Sequence, residues 1–307
     1  MDVIGAVDIG GTKMAVGLVS PQGQVLASEV FPSQTGLEYL RGMQQIADAL
    51  HCHLAQTGGC LLGIGIGCTG QMNPAEGRIV NNGFLPGWSG QRPVSWLSEQ
   101  FSTRVALEND ADAAALAEWR LGAGQGANRF IYLTISTGIG AGLIFDGQIY
   151  RGAMGQHPEM GHQTIDPCGP ACFCGSRGCW ETFASGRALE HRFQVLKPGF
   201  SGDARQVCDL AETGDAQALE AVMAHGEALG IGLANLITLL APDVIALGGG
   251  LMQRASLFLD SIQAAIQHYC RLVNPHSTRL VLSRLGDQTG LVGAALVWQQ
   301  RFANGQI

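Results

Sequence analysis

The chain has 307 residues, 46% of them hydrophobic, which is enough for two domains that each bury a core. Acidic residues outnumber basic ones by 25 to 18, and no Lys/Arg-rich run occurs, so nucleic acid is excluded as the main partner. The 44 glycines are about twice the ordinary share and predict many tight turns and close backbone approaches.

The opening MDVIGAVDIGGTK carries Asp2 and Asp8 inside its apolar run and lacks a basic start, unlike a secretory leader, so a cytoplasmic protein is expected. Residues 3 to 31 predict three short strands, VIGAVDI, KMAVGLVS and VLASEVF, with turns at GGT and PQGQ. A helical stretch to about His53 follows, and then CLLGIGIGCTG reads as a buried strand by its continuous apolar run. VALEN is a further strand, and DADAAALAEWRLGAG a helix with an acidic start and a glycine stop.

Residues 129 to 150 repeat the opening design. RFIYLTI, STGIGAG and LIFDGQIY follow the order of VIGAVDI, GGTK and MAVGLVSPQGQ, which predicts a duplicated hairpin, one per domain, facing each other across a cleft. Beyond the cysteines the chain reads as mainly helical, ending with strand VIALGGG, a helix near 254–271, strand TRLVLSRL and the small-residue helix TGLVGAALVWQQRF. The longest apolar region, Leu229 to Leu251, is broken by Asn235, Pro242 and Asp243, so a core helix and buried strand are expected and no membrane partner. The expected domains are a smaller one at 1–115, joined by the C-terminal helix at about 290–307, and a larger one at 116–289. With no low-complexity linker, a hinge is expected within ordered structure near 110–120.

Four strings carry chemistry. In DIGGTK, the glycines Gly10 and Gly11 let backbone amides approach phosphate oxygens, Thr12 adds a hydroxyl and Lys13 a charge, and Asp8 is placed to hold Mg²⁺, usually through water. STGIGAG supplies the matching second loop through Thr137, Gly138 and Gly140. Two hairpin loops with an aspartate differ from both the Walker A and the dinucleotide fingerprints and are expected of an actin-like (ribonuclease H-like) ATPase fold of the α/β class. In ENDADAAALAEW, Asp110 at a strand-to-helix junction reads either as an N-cap or as a general base accepting a hydroxyl proton, kept ionised by the helix terminus. Finally, Cys172, Cys174 and Cys179 form C-x-C-x₄-C with His162 ten residues upstream, a closed tetrahedral set for structural Zn²⁺. Cys168 is left as a free thiol, His157 as a loop histidine, and Glu159 and Glu181 as carboxylates held by the clip to accept sugar hydroxyls.

Together these strings, with GAMGQHPEMGH and CFCGSRGCWETFASG, resemble the ROK family of bacterial sugar kinases and regulators over nearly the whole chain. The resemblance implies a two-domain kinase that uses Mg-ATP to phosphorylate a hexose, usually at the 6-hydroxyl, and a homodimer. It implies Asp110 as catalytic base and Asn109, Glu159, His162 and Glu181 as sugar ligands, with Asn82, or Asn81 in its place, completing the set. It also implies His162, Cys172, Cys174 and Cys179 as the zinc set and LGGG, with Gly248 and Gly249, as the adenosine-side loop. HPEMGH is similar to the fructokinase branch, whereas the cysteine motif looks like the glucokinase and N-acetylmannosamine kinase branches, so glucose is the first expectation among several hexoses. The competing expectations are a sugar-responsive regulator, whose family members carry an added helix-turn-helix while this chain enters its first strand at residue 3, and a zinc hydrolase, which a closed Cys₃His shell disfavours.

Overall fold

The computed structural model describes residues 1–33 and 36–303, so the last four residues expected in the C-terminal helix, 304–307, lie outside the described residues. Chain contacts divide it into two compact units. One comprises Met1–Gly126, Gly142–His157 and the segment from Arg284 onward, and the other Ala127–Ala141 and Pro158–Ser283.

The first unit opens with β1 (Asp2–Ile9), β2 (Lys13–Val19) and β3 (Val25–Pro32), the three strands expected from the alternating and apolar runs. Helix α1 (Tyr39–Thr57) buries Tyr39, Met43, Ile46, Leu50 and His53, a stripe at helical spacing, and stops at Gly58. Gly58 takes the left-handed conformation at φ +62° and returns its N–H to Leu54, a common helix ending. Strand β4 (Cys60–Cys68) leads into a small hairpin, β5 (Gln71–Asn73) and β6 (Arg78–Asn81). Helix α2 (Pro93–Phe101), strand β7 (Val105–Asn109) and helix α3 (Asp110–Leu121) follow. The sheet order is β3-β2-β1-β4-β7, antiparallel among the first three and parallel from β1 outward. In β1 and β7 nearly every residue is buried, as strands covered on both faces require.

The second sheet repeats this topology. It contains β8 (Arg129–Ile135), β9 (Ile139–Phe145), β10 (Gln148–Ile149), β11 (Val244–Gly248) and β12 (Arg279–Leu282), in the order β10-β9-β8-β11-β12. Strand for strand this is the first sheet's order, again with a meander followed by two parallel partners. The β9–β10 turn is Asp146-Gly147 with φ +50° and +77°, the two left-handed residues of a hairpin turn that matches strand twist. The helices are α4 (Glu181–Ala184), α5 (Gly186–Leu196), α6 (Ala204–Glu212), α7 (Ala216–Leu240) and α8 (Leu259–Tyr269). The helix expected near 254–271 starts later, because residues Gly250–Leu257 form 3₁₀ turns with a break at Arg254. Helix α7 is long and apolar enough to cross a membrane, with mean hydropathy 1.3, yet 61% of its most apolar window is buried inside the protein.

The chain re-enters the first unit and ends in α9 (Thr289–Phe302), which packs on β1, β2, β4, β7 and α3. Its small residues explain the close approach: a Cβ at Gly65 of β4 would run into the carbonyl of Ala294. Backbone cannot yield as a side-chain tip can, so Gly65→Ala should cost about 1–3 kcal/mol of stability, read as a lower urea midpoint with unchanged slope.

Candidate active site

In the first unit, strand register sets the site. Asp8 of β1 pairs with Gly67 of β4, and Gly67 with Glu108 of β7, so the carboxyl ends of three parallel strands lie level. Open α/β sheets bind ligands at such ends. Beyond β7 the chain turns directly into α3. Its N-cap is Asn109, whose Oδ1 accepts from the amides of Ala111 and Asp112 at 2.9 and 3.2 Å. The N-cap reading of Asp110 is therefore corrected: Asn109 has the extended backbone a cap needs, and Asp110 is the first helical residue.

That position leaves the Asp110 carboxylate beside Asp8. Burial raises Asp110 to about 7, with the Asp8 charge adding to the rise and the Ala111 amide and His157 opposing it. The expectation of a carboxylate held ionised by the helix terminus thus gives way, because desolvation outweighs one amide hydrogen bond. Burial likewise raises Asp8 to about 6 against the pull of Lys13. Two acids whose pKa values stand near neutrality are suited to proton transfer and cation binding.

The GGT turn closes through the Gly10 amide on the Lys13 carbonyl at 2.9 Å. Ser33 braces it, its hydroxyl donating to Gly10 at 2.7 Å and its amide to Thr12 at 3.0 Å. Thr12 and Lys13 are exposed, and the Phe84 ring lies against Gly11. Asn82 is buried, with its Nδ2 donating to Thr69 at 3.0 Å and its Oδ1 accepting from Phe84 and Leu85, so its side chain pins the NNGFLPGW loop. Its neighbour Asn81 is exposed. Asn109 spends its Nδ2 on Gly70 at 3.2 Å.

A buried polar network underlies Asp110. Arg151 reaches Glu108 at 2.5 Å and Asp112 at 2.6 Å, and His157 Nδ1 meets the same Asp112 oxygen at 2.6 Å. Asp112 is fully buried. The sequence left His157 without a role, and only the return of the segment after β10 to Asp112 reveals it. Its one legible signal was a string of three acids, Glu108, Asp110 and Asp112, in an otherwise apolar stretch.

The second unit gathers the remaining candidates. The second loop closes through the Ser136 amide on Gly138 at 3.0 Å, and the Ser136 carbonyl accepts from Gly186 at 2.7 Å. Glu181 Oε2 accepts from the Ile139 amide at 2.8 Å, and a Cβ on Gly138 would strike the same carboxylate. Thr137 is exposed and Gly140 continues into β9. Gly248 ends β11 and Gly249 follows it; at φ +89°, Gly249 passes so close to Ile135 that no side chain fits there. Glu159 is exposed, at the start of the 3₁₀ turn that carries His162.

His162 and the cysteines come together as expected. Donor atoms of His162, Cys172, Cys174 and Cys179 all lie within 4.8 Å of one another. His162 Nδ1 is 3.5 Å from Cys172 Sγ, and Cys174 Sγ 3.6 Å from Cys179 Sγ. A tetrahedron with the usual Zn–N and Zn–S lengths has edges of about 3.5–3.8 Å, so these donors fit a zinc ion. The loop's tight bridges, Thr164 to Cys179 and Ala171 to Arg177, set the spacing. Cys168 is exposed and stands outside the cluster, its amide bonded to Asp166. Buried Trp180, donating to Ala228 on α7 at 2.8 Å, ties the loop's exit to the core.

The description "ROK family" matches residues 4–301. A glucokinase from Streptomyces coelicolor is 34% identical over 312 residues, covering 94% of this chain and 95% of that protein. A xylose repressor from Bacillus spizizenii is 37% identical over 246 residues, covering 79% of this chain and 62% of the repressor. The crystal structure of a ROK family glucokinase from Streptomyces griseus in complex with glucose and AMPPNP superposes with a TM-score of 0.81 at 31% identity, over 97% of this chain and 99% of that one. The doubled sheet is thus the actin-like α/β fold of those proteins. A match spanning the two sheets, both glycine loops and the cysteine loop makes this chain a member of the ROK family.

Proposed function

We propose that the protein is an ATP-dependent hexose kinase that transfers the γ-phosphoryl group to a sugar hydroxyl, the 6-hydroxyl of glucose being the first candidate. The observation that carries this reading is Asp110, a carboxylate at the mouth of three aligned strands with its pKa near neutrality. Likeness to glucokinases at 34% and 31% identity supports the same reaction.

Phosphoryl transfer demands positioning and charge stabilisation more than covalent chemistry. In this reading Asp110 Oδ2 takes the proton of the attacking hydroxyl, while its Oδ1 stays fixed by the Ala111 amide at 2.9 Å. The amides of Gly11 and Thr12 and those of Thr137, Gly138 and Gly140 bind phosphate oxygens, Gly10 closes the first turn beneath them, and Lys13 adds positive charge. Gly248 and Gly249 leave room for the adenosine. Asp8 would hold Mg²⁺, which neutralises phosphate charge when bound. Asn109, Glu159, His162 and Glu181 bind sugar hydroxyls, Asn82 shapes the neighbouring loop, and Asn81 is the nearby exposed amide. Zinc on His162, Cys172, Cys174 and Cys179 would fix the segment that leads to Glu181 and so the second loop.

A second reading, a sugar sensor without turnover, draws on the likeness to the xylose repressor. A coupled ADP-release assay with Mg-ATP and glucose, mannose, fructose, N-acetylglucosamine or N-acetylmannosamine separates the two. The kinase reading expects turnover with at least one sugar, and binding of a sugar without ADP release from any of them selects the sensor.

Asp110→Asn should keep the melting temperature and sugar binding but lower kcat about 10²–10⁴-fold, the usual worth of a general base. Normal turnover in that variant would remove Asp110 from the mechanism. Since the reaction needs the ionised form and burial raises its pKa, kcat/KM should climb with pH up to about 7 and then level. Cys174→Ala should lose zinc by elemental analysis and weaken sugar affinity together; zinc loss with unchanged affinity would separate the clip from the site.

A further inference from the structure

The sequence assigns nothing to Glu118, eight residues after Asp110 on α3. Its side chain is fully buried, yet among the described residues it forms no ion pair. Backbone amides satisfy it instead. Oε2 accepts from Ala123 at 2.8 Å and from Arg284 at 3.1 Å, and Oε1 accepts from Arg284 and Leu285, both at 2.9 Å. A charged carboxylate is a far stronger acceptor than a neutral group, and three converging amides suit no other side chain of this length.

The donors lie at telling places in the chain. Ala123 stands just before the chain first leaves the first unit after Gly126, and Arg284 is where it re-enters after its second departure at His157. Immediately beyond Leu285 the turn Gly286–Gln288 leads into α9, with the Thr289 hydroxyl closing it on Gly286 at 2.7 Å. Next comes Gly290, placed so tightly on Asp8 that a Cβ would strike its carboxylate. One end of α3 therefore presents Asp110, and the other grips the segment that packs against Asp8.

The geometry points to Glu118 as a positioning residue that holds the start of α9 on Asp8 and so sets Asp8 relative to Asp110. It touches no substrate and acts through the Arg284 and Leu285 amides. The inference rests on the kinase reading, in which Asp8 holds Mg²⁺ and Asp110 is the base. The helix start supplies the positive end of a dipole to the Asp8 carboxylate, a contact that loosens if the grip is lost.

The test uses the full chain, with Glu118→Gln keeping the shape but offering one acceptor oxygen. Misplacement of a reacting group by about 1 Å can cost 10²-fold in rate, so kcat should fall about 10- to 100-fold. The Mg²⁺ concentration for half-maximal rate should rise, while the KM for sugar holds. Gly290→Ala, which disturbs the same contact from the other end, should shift the Mg²⁺ requirement in the same direction. A merely structural role would lower the melting temperature of Glu118→Gln and leave kcat and the Mg²⁺ requirement at the wild-type values, which would overturn the proposal. Should that variant fail to fold, the unaltered chain decides by hydrogen exchange: the Ala123, Arg284 and Leu285 amides should exchange as slowly as the core of α3, and exchange at solvent rates would overturn the proposal. Wild-type silence on every sugar would count against the kinase reading instead, and the grip itself would still stand or fall on those three amides.

Discussion

The site depends first on parallel pairing of β1, β4 and β7, in which Asp8, Gly67 and Glu108 share one level. Register in a sheet is all-or-none, because a slip of one residue turns every side chain to the other face. A slipped β7 would send the Asn109–Asp110 junction elsewhere and leave Asp8 without its acidic neighbour. What holds the register is apolar filling of the face that carries Val3, Ile64, Ile66, Val105 and Leu107, with α9 packed on the other. The chemistry of two carboxylates near neutrality is thus a product of hydrophobic packing several residues away.

Each glycine loop is braced by a group that the loop's own residues do not supply. Ser33 secures the first. Glu181 and the Gly186 amide secure the second, and both lie directly downstream of the cysteine cluster. A loop of glycines has much conformational freedom to lose on ordering, so outside anchors are needed to make it a standing cradle. This gives the cysteine loop a purpose beyond local stability: directly after Cys179 begin the helices that grip the second glycine loop.

Much of this was legible in the residues. The three opening strands, VALEN, the glycine loops, the repeated hairpin and the cluster of His162 with Cys172, Cys174 and Cys179 all stand where periodicity and spacing put them. Those features are local, set by alternation, turn chemistry and short separations. The parts that were not legible join distant segments. Arg151 meets Asp112 across 39 residues, His157 meets it across 45, and Glu118 meets Arg284 across 166. No pattern in a single chain announces such partners. The N-cap was missed for a different reason: Asn109 and Asp110 are both good caps, and only the backbone angles choose between them. The pKa of Asp110 depends on the burial around it, which its neighbours in sequence do not specify.

The placement of α9 bears on how the molecule is made. This helix lies against β1, β2, β4, β7 and α3, yet it comes last in the chain among the described elements. On the ribosome the strands of the first unit's sheet, the last of which ends at Asn109, must wait with one sheet face uncovered until synthesis reaches the helix that starts at Thr289. The second unit has its strands and helices complete by Ser283. Of the two units, the one whose strands emerge earlier is therefore completed later, and its exposed apolar strands mark the interval when a chaperone has most to protect.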